Sequence, residues 1–249
     1  MKFRITQKIP NVYVITFDKR YELCMSLLRI QEFYESPKYK SKYFTLEEFV
    51  DYWSDEFGNG LFDYPAKWNG FNFLGQTLLD WLFLFPYQNG SYRSREREVI
   101  DRLIKRIAKD NGIRWPAKRH HPDYWGCLSY EDLEKCLKNV YIIAVNNEDG
   151  GKTQAVNHEL AHAVYTLHPS YKKSCTKLLI KMGHNTHNTR SKLIRERSED
   201  KLAKMGYCKD VMEDELQAYY STGGIGDDVP DISEFKNNYK NFLKKLKNA

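Results

Sequence analysis

Residues 155–164 of the 249-residue chain read A-V-N-H-E-L-A-H-A-V. His158 and His162 are four apart, so on a helix both imidazoles project from one face and can converge on one divalent ion. Glu159, next to the first histidine, stands where it can take a proton from a metal-bound water. In a chain with 7 His, this pattern of two histidines and a glutamate arises by chance only about 0.01 times. Every other position from Ala155 to Val164 is uncharged, and Leu160, Ala163, Val164 and Leu167 form an apolar stripe opposite the histidines. The spacing therefore predicts a buried helix with its histidine face turned to an interior cleft. The competing reading is a pair of hydrogen-bonded core histidines.

A catalytic zinc usually takes three protein ligands and keeps one position open for water. Two residues compete for the third place. His168 completes the spacing H-E-x-x-H-x-x-Y-x-x-H, which resembles the metzincin signature, but Tyr165 stands where that family has its turn-forming glycine. On a continuous helix His168 would lie about 9 Å further along the axis than His162. The other candidate is Glu215, in V-M-E-D-E-L-Q-A-Y-Y. On a helical wheel Met212, Glu215, Leu216 and Tyr219 share one face, while Glu213 and Asp214 point away. A carboxylate on an apolar face is costly unless it is paired or binds a metal, and this argument selects Glu215.

The block H-E-L-A-H followed by a downstream helix with a ligand glutamate resembles the gluzincin type of zinc metallopeptidase. Asp214-Glu215-x-x-Ala218-Tyr219 is also similar to the E-x-x-A block of ImmA/IrrE-like peptidases, which carry asparagine where Tyr219 stands. The resemblance spans residues 141–220 at most. It implies one Zn²⁺ held by His158, His162 and Glu215, with Glu159 as general base in hydrolysis of a peptide or protein substrate. The aspartate that thermolysin-like enzymes carry four residues after the ligand glutamate is replaced by Tyr219, which leaves the first histidine in need of another acceptor. An oxyanion donor is needed beside the metal. Tyr165, on the histidine face, and Tyr219, on the Glu215 face, are the candidates, with Tyr220 and His187 behind them. The resemblance also implies that the strand Tyr141–Asn146 is an edge strand that holds the substrate by strand addition.

The elements that must position these residues suggest an α+β, predominantly helical protein. The expectation is a zincin-like core with a short sheet and an active-site helix at 136–249, preceded by an aromatic-rich α/β region at 1–135; with no flexible linker between them, one compact unit is an equal alternative. Extended segments are expected at Phe3–Ile5 and Val12–Phe17, and helices over Tyr21–Tyr34, from Thr45 onward, and over Arg95–Lys109. Thr45 and Glu48 have capping-box spacing. Gly58–Gly75 reads as a packed loop, Leu78–Phe85 as a buried segment of unassigned type, and Arg114–Trp125 as irregular. From Thr153 the chain reads as mostly helical, with breaks near His168-Pro169, Gly183–Asn188, Gly206 and Gly223–Gly226. His120, His121, His184 and His187 read as exposed loop histidines.

Composition narrows the class. No stretch approaches the roughly 18 consecutive apolar residues of a membrane span. The N-terminus lacks the apolar core of a secretory signal, so a cytoplasmic protein is expected, with signal-less secretion left open. Five widely spaced cysteines without a CxxC argue against a disulfide framework or a thiolate zinc site. The net charge of +6 is clustered: Tyr171–Lys209 carries eleven Lys/Arg against three acids. Such stretches are usually solvated helix faces, but they can attract an acidic partner or nucleic acid. The alternatives to a peptidase are thus a non-catalytic zinc-binding protein, with a structural or interaction role, and a basic protein associated with nucleic acid.

Overall fold

A computed structural model describes residues 1–84, 94–113, 129–148, 152–184, 189–205, 209–225 and 230–248. The irregular segment expected at Arg114–Trp125 and the residues His120, His121 and His187 lie outside these. The chain forms two compact units, Met1–Lys152 and Thr153–Ala249. It is mostly helical with one small sheet, an α+β composition.

The first unit is built on a four-stranded sheet of order β1-β2-β4-β3. Strands β1 (Phe3–Ile9) and β2 (Val12–Phe17) form a hairpin. Pro10-Asn11 makes the turn, with Asn11 at a φ of 63°, a combination suited to a tight turn with proline first. Strand β4 (Tyr141–Asn146) runs parallel to β2 and antiparallel to β3 (Gly70–Leu74). Every residue of β2 and β4 is buried, as expected of near-continuous apolar runs in interior strands.

Strand β4 is therefore not the edge strand that the resemblance implied. Both of its sides are engaged by neighbouring strands, so its backbone cannot receive an extended peptide. The true edges are β1 and β3, and side chains cover parts of both. Arg102 and Arg106 donate to the outward carbonyls of Phe3 and Ile5. The Asn72 amide on β3 donates to Gln31 Oε1 at 3.1 Å. Occupied edge groups of this kind discourage pairing with other chains.

Helix α1 (Arg20–Glu35) packs its apolar residues, among them Leu23, Leu27, Ile30 and Phe33, into the core. It also buries Arg29, which forms a two-bond ion pair with Glu96 at 2.7 and 2.5 Å. Glu96 lies on α5 (Ser94–Asp110), whose face of Val99, Ile100, Leu103, Ile104 and Ile107 is fully buried, as its period predicts. Helix α2 (Leu46–Glu56) starts at Thr45 with both capping-box bonds formed.

The stretch read as a loop, 58–75, is more ordered than its glycines and asparagines suggest. It contains a short helix, α3 (Tyr64–Lys67), and the whole of β3, whose alternating Phe71 and Phe73 are buried. Phe62 and Tyr64 pack edge-on against Phe49 of α2. The segment of unassigned type is a helix, α4 (Gly75–Leu84), and α6 (Tyr130–Leu137) leads into β4. The units divide at Lys152/Thr153 rather than near residue 135, because β4 is paired into the first unit's sheet.

The second unit is helical throughout its described residues: α7 (Lys152–Leu167), α8 (Pro169–His184), α9 (Thr189–Lys204), a single 3-10 turn at Lys209–Val211, α10 (Met212–Thr222) and α11 (Pro230–Lys247). Helix α7 ends where the sequence places a break. Pro169 opens α8 at the first helical position, where no N–H is needed. His168 sits at the junction: its N–H closes the last turn of α7 and its carbonyl accepts from Tyr171 of α8.

Candidate metal centre

Of the apolar stripe expected on helix α7, Leu160, Ala163 and Val164 are buried and Leu167 is half-buried, and Ala161 is buried as well. The two histidines project on one side. His158 Nε2 and His162 Nε2 are 3.1 Å apart. Glu215, on α10, lies 53 residues beyond His162 in sequence. In the fold its Oε2 is 3.7 Å from His158 Nε2 and its Oε1 is 3.6 Å from His162 Nε2. These are the separations of ligands around a tetrahedral ion. With metal–ligand bonds of 2.0–2.1 Å, tetrahedral donors stand about 3.3 Å apart.

His158, His162 and Glu215 thus form a group that can hold a metal ion, and no other such group occurs among the described residues. The donor chemistry fits. Glu215 Oε2 is buried and has no hydrogen-bond partner among the described residues, a costly arrangement unless a cation completes it. The selection of Glu215 among its acidic neighbours matches this placement. Glu213 beside it is exposed.

The wheel misplaced Asp214. It does not point away: its Oδ1 lies 2.9 Å from His162 Nδ1 and also accepts from Gln217 Nε2 at 2.9 Å. Consecutive helical residues are about 100° apart, so Asp214 and Glu215 straddle the same imidazole from either side. A metal-binding histidine commonly donates its second N–H to a carboxylate, which fixes the tautomer and the ring orientation. The acceptor that the resemblance placed after the ligand glutamate is here the residue before it, and it serves the second histidine. Burial disfavours the imidazolium of His162. The hydrogen bond to Asp214 and the charges of Asp214, Glu159 and Glu215 outweigh that effect, and the pKa is pushed up to about 9.

The remaining expected residues divide. Glu159 is half-buried, and its charge acts on His162. Tyr219 lies beside the site, its ring centroid 4.5 Å from that of His158. Gly224, at a φ of +119°, permits this packing, because a Cβ there would stand 3.3 Å from Tyr219 Cδ1. Tyr165 is not among the residues gathered. It lies one turn along α7 beyond His162 and is buried, with Lys172 Nζ of α8 5.0 Å from its ring centroid. His168 packs against Phe242 at 5.3 Å, outside the ligand group. Burial pushes its pKa down. Tyr220 is buried beside Phe235, its ring centroid 5.3 Å away.

Gln217 went unremarked in the sequence. It is fully buried in α10 between the site and α8, and the only hint was a long amide flanked by apolar residues. Among the described residues no helix is long and apolar enough to cross a membrane. Comparisons with protein families, with curated proteins and with solved structures find no match.

Proposed function

We propose that the chain is a zinc-dependent metallopeptidase of gluzincin type, with His158, His162 and Glu215 as ligands and a peptide or protein as substrate. The observation that carries this reading is the approach of Glu215 to a histidine pair already spaced for metal binding, in a chain that also has Glu159 next to the first histidine. Zinc held by these three residues would supply Lewis acidity toward a water molecule and a scissile carbonyl. Glu159 takes the proton of the attacking water and returns it to the departing amine. Tyr219, its ring tilted against that of His158, offers its hydroxyl to the oxygen on which negative charge develops. Tyr165, buried with Lys172 over its ring, is left out of this assignment. Asp214 faces His162 Nδ1 and leaves Nε2 toward His158 and Glu215.

A glutamate beside the first histidine also favours catalysis over a purely structural metal, which closes its fourth position with a protein ligand. The test is zinc content together with hydrolysis of an unfolded protein such as casein. Wild type is expected to carry one zinc and to cleave. Glu159→Gln is expected to keep the zinc and lose cleavage, and His158→Ala to lose both. Unchanged zinc in His158→Ala ends the metal reading. Cleavage that survives Glu159→Gln ends the mechanism.

A further inference from the structure

We infer that Gln217 is a positioning residue of this centre: its amide fixes Asp214, and through Asp214 it sets the orientation of the His162 ring. The inference rests on the reading of His158, His162 and Glu215 as metal ligands. Gln217 is fully buried. A buried amide must place two N–H donors and a carbonyl oxygen, and here all three are used. Nε2 donates to Asp214 Oδ1 at 2.9 Å and to the Ala161 carbonyl at 3.3 Å, while Oε1 accepts from the Tyr171 hydroxyl at 3.3 Å. The opposite amide orientation would set Oε1 against a carboxylate and a carbonyl, so the partners themselves fix which end donates.

The positions of these partners give the amide its consequence. Ala161 precedes His162 on α7, and Tyr171 lies on α8, so one side chain joins three helices beside the His162 ring. The oxygen of Asp214 that Gln217 holds is the same oxygen that faces His162 Nδ1. The Asp214 side chain is 30% exposed and has solvent as an alternative partner. The buried amide opposes that rotation from the protein side. Ser221 belongs to the same network one bond further on, 3.1 Å from the Tyr171 hydroxyl.

The experiment compares wild type, Gln217→Met and Ser221→Ala by two readouts, zinc affinity from competition with a chromogenic chelator and solvent exchange of the His162 Nδ1–H proton by NMR. Gln217→Met is expected to bind zinc up to roughly tenfold more weakly, a smaller loss than removing Asp214 itself, with faster exchange of that proton. Ser221→Ala, which cuts the same buried network away from Asp214, is expected to keep both at wild-type values even where it lowers the melting temperature. Wild-type zinc affinity in Gln217→Met overturns the inference. So does an equal loss in Ser221→Ala, which would mark a purely structural network. If Gln217→Met does not fold, titration of zinc into wild type decides: the side-chain amide peaks of Gln217 are expected to shift, and unshifted peaks overturn the inference. Failure of wild type to bind zinc at all overturns the metal reading and this inference with it, an outcome distinct from the others.

Discussion

The carboxylate of Asp214 meets His162 at Nδ1, 2.9 Å away, while Glu215, the next residue in the chain, faces Nε2 of the same ring at 3.6 Å. One helix turn thus presents two acids to opposite edges of one imidazole. The first orients the ring, and the second stands with it around a common point. The division of labour predicts different consequences for removing each.

Glu215→Gln is expected to abolish stoichiometric zinc binding, because it removes a ligand charge. Asp214→Ala is expected to retain binding with an affinity roughly ten- to a hundredfold lower, the usual cost of losing a partner behind a metal-binding histidine. Glu213→Gln, on the exposed neighbour, is expected to leave affinity unchanged. Chelator competition on the three purified variants checks the order. Equal losses in Asp214→Ala and Glu213→Gln would remove Asp214 from the site.

The pH dependence of protein stripped with a chelator follows from His162. Its pKa is about 9 in the fold against 6.5 for the free side chain. The folded state therefore holds this proton more tightly, and the resulting stability is fully present below pH 6.5. It is lost as pH rises from there through about 9, at up to roughly 1.4 kcal/mol per pH unit from this one group. A metal ion bound through Nε2 would have to displace that proton, so zinc affinity is expected to rise over the same window. Urea melts of stripped wild type and His162→Gln between pH 6 and 9.5 check the sign: the decline is expected in wild type and absent in the variant.

In the first unit, Arg29 and Glu96 are both almost fully buried and bonded twice to each other. Arg29→Met is expected to cost about 3–5 kcal/mol, because it removes one partner of a buried, doubly bonded ion pair. Adding Glu96→Leu to that variant is expected to recover most of the loss, since an apolar pair of similar volume removes the buried charge. Urea melts of the two single variants and the double variant measure the coupling.

Gly224→Ala is expected to cost about 1–3 kcal/mol, because a φ of +119° is a conformation that side-chain-bearing residues rarely adopt. The added Cβ also presses on the Tyr219 ring, which lies against His158. The His158 ring protons are expected to lose part of their ring-current shift in the variant, measured by NMR. Unchanged shifts at unchanged stability would show that Gly224 does not support Tyr219.

Much of the site could be read from short-range spacing. His158 and His162 share a helix face because four residues nearly complete a turn. Glu215 was set apart because a carboxylate among Met212, Leu216 and Tyr219 demands a partner. The strand Tyr141–Asn146 and the helix around Val99–Ile107 were legible for the same reason: apolar period reports local geometry. Five-residue β3 was lost among glycines and asparagines, although Phe71 and Phe73 already alternated.

What required the tertiary structure was everything that depends on a second element's position. A wheel ranks Asp214 by its own helix alone, but whether it turns outward or meets an imidazole depends on where α7 crosses α10. Gln217 looked like an ordinary polar residue until Ala161 and Tyr171 closed around its amide. Likewise an apolar strand says that it is buried, while strand order decides whether it is an edge; β4 has β2 on one side and β3 on the other. Periodicity is a property of one segment and can be read from neighbouring residues. Convergence of His158, His162 and Glu215 is a property of packing, brought about by burial of apolar faces that the chain carries 53 residues apart.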